Sequence, residues 1–356
     1  MFVDEISLND FRNYEKGYIS FTNGLNVIYG GNARGKTNIL EAVFLLSAAR
    51  SHRLARENEM IRFGCKSAKI SAKFNSHGRD NLGEIMLFAD KKKQIKINKT
   101  PIDKTSELIG ALNAVMFCPE DLRLIKGSPR ERRRMLDLGI CQISKRYFHS
   151  LSQYIKVLEQ RNRLLKENSE SKSLWVWDEK LADFGSDVIR FRKKYIDNLY
   201  ERACVVHSDI CGEKLEIKYR CGVPIEDFED KEKIKSQFCC ELKKISPREK
   251  RFGLSLAGPH RDDFDIVING KEARLYGSQG QQRTAALSLK MGEVGLIRDD
   301  IGEMPILLLD DVMSELDDLR QGYILSNIKG VQVIITSTTK FEHDGARQIY
   351  VEDVKR

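Results

Sequence analysis

A chain of 356 residues, 41% hydrophobic and 31% charged, is long enough for one large or two medium domains with buried cores. Its first residues, MFVDEISLNDF, read as a charged strand and not as a secretory signal, and apolar runs such as Ala42 to Leu46 fall far short of a membrane span. The expectation is therefore a soluble, cytoplasmic chain with no membrane partner. A net charge of +8 says little about partners by itself; where the charge clusters says more.

The first 115 or so residues look strand-rich. Apolar residues alternate through Phe2-Val3, Ile6 and Leu8, then through GYISF, and GLNVIYG reads as a strand ending at Gly30. TNILEAVFLL follows, with Ile39, Leu40, Val43 and Leu46 at helical spacing. Between strand and helix lies Gly30-x-x-x-x-Gly35-Lys36-Thr37, the spacing of a phosphate-binding P-loop. Glycines let the backbone wrap an anion, and successive N–H groups and the helix N-terminus point at phosphates. Lys36 is placed to reach the β- and γ-phosphates of a nucleotide, and the Thr37 hydroxyl to ligate Mg²⁺. Gly30, Gly31, Asn32, Ala33, Arg34, Gly35 and Asn38 complete the cradle. The loop alone does not choose among kinases, GTPases, transporter ATPases and DNA-repair ATPases.

AKISAKF, GEIMLFAD and KQIKIN read as strands of an antiparallel sheet. From about residue 120 to 245 the character becomes helical. RLIKGSPRERRR (Arg123 to Arg134) is dense in basic residues against the single acid Glu131, and KKK at 91 to 93 is a second basic cluster. Either run is compatible with a plain solvated face; the arginines are also candidate DNA-backbone contacts. If Arg130, Arg132, Arg133 and Arg134 lie on a helix, neighbours turn by about 100°, so Arg130 shares a face with Arg133 or Arg134. Tyr147, Leu151, Tyr154, Leu158 and Leu165 form one apolar stripe; Leu181, Phe184, Val188, Phe191, Tyr195 and Leu199 form another. With the polar ENSESKS as tip, the two helices make a short antiparallel arm.

After about residue 250 the mixed pattern returns. FDIVINGKEARLY reads as a hairpin with Asn269-Gly270 suited to a type I′ turn. PILLLDDV and VQVIIT are unbroken apolar runs of the kind found in buried parallel strands. The expected fold is thus an α/β P-loop domain assembled from 1–117 and 250–356, with a mainly helical lobe inserted at 118–249. Eight cysteines show no C-x-x-C pair, and no His stands at zinc-finger spacing, so free thiols are expected.

Two further motifs carry chemistry. PILLLDDVMSELD ends an apolar strand in Asp310-Asp311: Asp310 is placed to hold Mg²⁺ facing Thr37, and Asp311 to orient or deprotonate a water. GSQGQQRT sets Ser278 and Gly280 at a helix start, where N–H groups and a hydroxyl meet an anion; a plain N-cap gives the same pattern.

In this order the P-loop, S-x-G-Q-Q, the acidic strand and S-E-L-D resemble the motifs of ABC-type ATPase heads. More narrowly, LNDFRNY (8–14), GGNARGKTNILEA (30–42), CPEDLRLIKGSPRERRR (118–134), GPHRDD (258–263), GSQGQQRT (277–284) and LLLDDVMSELD (307–317) resemble the RecF family of bacterial recombinational-repair ATPases. The resemblance implies a head like those of Rad50 and SMC proteins without their long coiled coil. It implies ATP and Mg²⁺ between two heads, with Arg12, Ser278, Gly280 and Gln281 joining the P-loop as nucleotide contacts. It further implies an ATP-dependent homodimer that clamps duplex DNA near gaps and works with RecR to load RecA. The resemblance also implies a weak, DNA-stimulated ATPase, and three departures from the ABC pattern point to slow hydrolysis: Asp311 where most heads have Glu, ITSTT (335–339) without a switch histidine, and the charged Arg34. Pro119-Glu120-Asp121 stands at the Q-loop position without a Gln. A transporter nucleotide-binding subunit, an SMC-type chromosome-organising head and a P-loop kinase are the competing readings.

Overall fold

The computed structural model describes residues 1–53, 57–102, 104–167, 174–327, 330–340 and 343–354. Two sheets build the ATPase head. Strands β1 (Phe2–Phe11), β2 (Tyr14–Ser20), β4 (Ser67–Ser76), β5 (Arg79–Phe88), β6 (Gln94–Ile97) and β7 (Thr100–Ile102) form an antiparallel sheet in the order β2-β1-β4-β5-β6-β7. Strands β3 (Leu25–Tyr29), β8 (Ala114–Phe117), β12 (Ile306–Asp310), β13 (Val333–Ser337) and β14 (Arg347–Tyr350) form a parallel sheet in the order β14-β3-β13-β12-β8. A strand from the N-terminal third thus lies beside two from the C-terminal end, as the motif order anticipates.

The parallel sheet explains why its strands read as unbroken apolar runs. Successive side chains point to opposite faces, and here both faces are buried. Ile306 and Leu308 enter one core with Ile334 and Met116, while Leu307 and Leu309 enter another with Val333, Ile335 and Phe117. The first core also holds helix α1 (Lys36–Ala48), pressed between the two sheets and buried around its circumference.

The second core belongs to the helical lobe: α2 (Arg123–Lys126), α3 (Pro129–Ile143), α4 (Lys145–Lys166), α5 (Leu174–Cys211), α6 (Lys231–Phe252), α7 (Ala273–Tyr276) and α8 (Gln279–Ile301). Helix α5, at 38 residues, extends about 57 Å. It runs antiparallel to α4, with Arg161 of α4 paired to Asp178 near the start of α5 and Tyr147 bonded to Arg192 further along. Both predicted stripes face inward, though α6 also covers them through Phe238 and Leu242, so the pair is no free-standing arm. Most of the expected tip, 168–173, lies outside the described residues.

The expected boundary at 249/250 needs correction. Strands β9 (Leu215–Arg220), β10 (Asp263–Ile268) and β11 (Lys271–Glu272) form one sheet in the order β11-β10-β9, so pairing such as Ile217 with Ile266 joins the two sides of that boundary. Helix α8 packs along α5. The lobe therefore runs on through α8, and the head resumes at β12. Asn269-Gly270 is the two-residue loop between β10 and β11; its φ values of 49° and 77° are those of a type I′ turn. Among the described residues no helix is long and apolar enough to cross a membrane.

Candidate nucleotide site

The P-loop leaves β3 at Gly30, whose N–H donates to the Ser337 carbonyl at 3.2 Å. The turn passes through three left-handed residues, Gly30 (φ 144°), Ala33 (φ 60°) and Gly35 (φ 103°), and α1 begins at Lys36 with no side chain capping its first turn. A Cβ on Gly35 would lie 2.5 Å from the Asn13 amide and 2.9 Å from the Tyr14 hydroxyl, so only glycine fits. Those two residues brace the loop. Asn13 Nδ2 donates to the Arg34 carbonyl at 3.1 Å and Asn13 Oδ1 accepts from Asn38 Nδ2 at 2.8 Å, while the Tyr14 hydroxyl donates to the Gly35 carbonyl at 3.2 Å. Lys36 Nζ, buried in the loop, donates to the carbonyls of Gly30 (2.7 Å) and Gly31 (2.9 Å).

Thr37 Oγ1 donates to Asp310 Oδ1 at 2.8 Å, joining residues 273 positions apart. Thr336 Oγ1 donates to the same oxygen at 2.8 Å and accepts from the Asp311 N–H at 2.9 Å. Burial pushes the Asp310 carboxyl above its ordinary pKa, against the pull of the two hydroxyls. A buried carboxylate beside threonine hydroxyls is an all-oxygen donor set, which fits a hard cation such as Mg²⁺. Glu120, exposed just after β8, adds negative charge that also raises Asp310. Its neighbour Asp121 accepts from the Cys118 N–H at 2.8 Å.

Asp311 is half-buried and left-handed (φ 53°), a conformation Asp tolerates better than most residues. Within ITSTT (335–339), Thr336 is fixed between Asp310 and Asp311, and Ser337 supplies the carbonyl that receives Gly30. Arg34 is exposed and points to Glu352 at 3.4 Å. Arg12 does not lie free beside the loop. It forks onto the buried Glu41 of α1 at 2.8 and 2.9 Å and donates to the Glu59 carbonyl at 2.8 Å.

Ser278 caps α8 in a reciprocal box: its Oγ accepts from the Gln281 N–H at 3.2 Å, and Gln281 Oε1 accepts from the Ser278 N–H at 2.9 Å. Ser278 is exposed. Arg320, in α9 (Asp318–Asn327), was not legible as a site residue. It pairs with Asp317 of S-E-L-D and donates to the Gly280 carbonyl (3.0 Å) and Thr284 Oγ1 (2.6 Å), tying that segment to the start of α8.

The four arginines separate by role. Ser128 and Glu131 make a capping box with Pro129 at the first turn, which starts α3 there and sets its phase. Arg130 is exposed. The expectation of a DNA contact at Arg132 is overturned: it turns inward, almost fully buried, and forks onto Asp263 at 2.6 and 3.0 Å. Arg133 donates to the Asp262 carbonyl at 2.7 Å, and Arg134 to the carbonyls of Ser51, His52 and Arg53. Arg50, Arg130, Arg133 and Arg134 still line one cleft of about 220 Å³. The second half of GPHRDD is structural as well: Asp262 accepts from Arg192 Nη1 at 2.8 Å and from the Gly222 N–H at 2.7 Å.

Burial alone would raise Asp263, but the Arg132 fork outweighs it and holds the carboxyl below its ordinary value. Removing Arg132 leaves the buried carboxylate with only the exposed Arg220, at 3.0 Å, as its charged partner. Arg132→Ala is expected to cost roughly 3–5 kcal/mol of stability, read as a lowered denaturant midpoint in urea. A midpoint unchanged from wild type would show that the pair contributes nothing. Because the folded pKa of Asp263 is depressed, the contribution is present above the ordinary carboxylate range and lost as pH falls through the lowered value.

Residues 2–353 match the family described as RecF/RecN/SMC N terminal domain. The chain is 44% identical over 341 residues to the DNA replication and repair protein RecF of Alkaliphilus oremlandii, covering 95% of this chain and 93% of that one. It is 42% identical to RecF of Bacillus cereus, over 100% of this chain and 96% of the relative. The chain belongs to the RecF family. A solved structure of the recombination mediator RecF with ATP superposes at a TM-score of 0.92 with 39% identity, covering 98% of this chain and 96% of that one. An Smc head bound to the C-terminal winged-helix domain of ScpA matches at a TM-score of 0.53 with 16% identity, over 96% and 90%, a likeness of fold alone. This RecF-family chain is an ABC/SMC-type ATPase head.

Proposed function

We propose that the chain is an ATP-binding protein of DNA replication and repair: two heads join around ATP and clamp duplex DNA near gaps, and slow hydrolysis releases them. The observation that carries the reading is the meeting of Thr37 with Asp310, which places a P-loop hydroxyl and a strand-end carboxylate at one point. Lys36 neutralises the β- and γ-phosphates, and Thr37 and Asp310 hold Mg²⁺. Asp311, one residue beyond, accepts the proton of the water that attacks the γ-phosphorus as the bond to ADP breaks. Its side chain is one methylene shorter than Glu, which suits a slow timer. Ser278, Gly280 and Gln281 meet the nucleotide of the second head. On this reading the chain works with RecR to load RecA in the cytoplasm.

DNA is met through the arginine cleft beside α3. Arg50 and Arg130 are its exposed arginines, Arg130 being the one on α3, and phosphate contacts dominate sequence-independent affinity. Arg130→Glu is expected to weaken ATP-dependent binding to gapped duplex and to reduce the slope of log affinity against log salt by about one. Wild-type affinity and slope in this variant would move the DNA surface elsewhere on the molecule.

A further inference from the structure

The last turn of α5 carries His207 and Cys211 four residues apart, hence on one helix face. Gly212 follows in the left-handed conformation (φ 69°) and turns the chain back, so Glu213 returns over that face. One ring nitrogen of His207, the Cys211 sulfur and a Glu213 carboxylate oxygen all lie within 4.8 Å of one another. His207 is fully buried; its Nδ1 faces the Ser288 hydroxyl at 3.2 Å, and its Nε2 has no hydrogen-bond partner. A buried ring nitrogen left so is a cost unless something binds it. Glu213 divides its oxygens: Oε1 accepts from Gln281 Nε2 (2.6 Å) and Asn269 Nδ2 (3.1 Å), while Oε2 faces the Cys211 sulfur at 3.7 Å.

We propose that His207, Cys211 and Glu213 form a binding site for a borderline-soft divalent cation of the zinc class. The ligands are His207 Nε2, the Cys211 thiolate and Glu213 Oε2, with the exposed side open to a water. Imidazole, thiolate and carboxylate are the ligand types zinc takes, and three protein ligands with a fourth position open is one of its regular arrangements. Ligands bound at about 2.0–2.3 Å stand roughly 3–4 Å apart, so a small rotation of the outer Cys211 and Glu213 side chains closes the site. The Cys211 proton, now directed at the His207 carbonyl at 3.2 Å, passes to solvent as the thiolate binds. Burial lowers the His207 pKa and keeps the imidazole neutral, the form that ligates.

The site touches α8 twice, through Gln281 in its first turn on Glu213 and through Ser288 further along behind His207. A bound cation therefore fixes the end of α5 against the helix that carries Ser278 and Gly280. This consequence rests on the two-head reading above; the site itself does not.

Metal-free full-length protein titrated with Co²⁺ tests it. The expected result is a thiolate-to-cobalt charge-transfer band that saturates at equimolar metal and is displaced by Zn²⁺. Cys211→Ser removes the band, and Cys240→Ser, at an exposed cysteine of α6, leaves it unchanged. Glu213→Gln keeps the side-chain shape and is expected to weaken Zn²⁺, read by competition with a chromophoric chelator, by more than the roughly 10-fold of a lost outer partner. No band, or a band that survives Cys211→Ser, overturns the site. Zn²⁺ is further expected to strengthen ATP-driven self-association of the wild type and not of Cys211→Ser. A band without that change removes the coupling and leaves the site. Absence of self-association in every form counts against the two-head reading instead.

Discussion

Lys36→Ala loses tight ATP binding and with it every ATP-dependent step. The ammonium is the cation that the P-loop itself folds around, buried against the Gly30 and Gly31 carbonyls. Charge-assisted hydrogen bonds of this kind are worth about 1.5–3 kcal/mol each, so affinity is expected to fall by at least ~10–100-fold. Titration with a fluorescent ATP analogue measures it, and wild-type affinity in the variant contradicts the site. Asp311→Asn is expected to act differently. It keeps the left-handed turn, which Asn tolerates as well as Asp, and removes the proton acceptor. ATP binds, hydrolysis stops, and the clamped form accumulates. Normal turnover in that variant would assign the base to another group.

Ser278→Arg is expected to spare ATP binding by one head and abolish ATP-driven pairing of two. Its hydroxyl is exposed at the start of α8 and bonds within its own cap, and the P-loop has its own separate bracing from Asn13 and Tyr14. The N-terminus of α8 offers positive potential to an anion from outside the chain. An arginine there fills the contact. A mixture sharpens the test: Lys36→Ala and Ser278→Arg chains together rebuild one intact composite site, from the P-loop of the second and the signature of the first. Partial recovery of hydrolysis is the expected result. If Ser278→Arg loses ATP binding as a monomer and the mixture recovers nothing, the two-chain mechanism is wrong.

What was legible in the sequence was local. The P-loop, the acidic strand end and the Asn269-Gly270 turn each carry their geometry within a few residues, and the structure reproduces all three. The unbroken PILLL run was readable as a doubly buried strand because its alternate residues feed two cores. What failed was long-range. Arg132 looks like its exposed neighbours until Asp263, 131 residues on, is brought beside it. The lobe boundary was misplaced because β9 finds its partner β10 across the whole of α6. His207 and Cys211 were spaced as ligands on a helix face, but Glu213 joins them only through the left-handed Gly212, and Gln281 only through the packing of α8 on α5.

The central claim is that ATP brings two of these heads together on DNA. Sedimentation velocity of the wild-type chain, with ATP or ADP and with or without gapped duplex, tests it most directly. The account predicts a monomer with ADP, a dimer with ATP, and a dimer that co-sediments with the gapped duplex at salt where the ADP form does not. A chain that stays monomeric with saturating ATP and binds the duplex equally well with either nucleotide would contradict it.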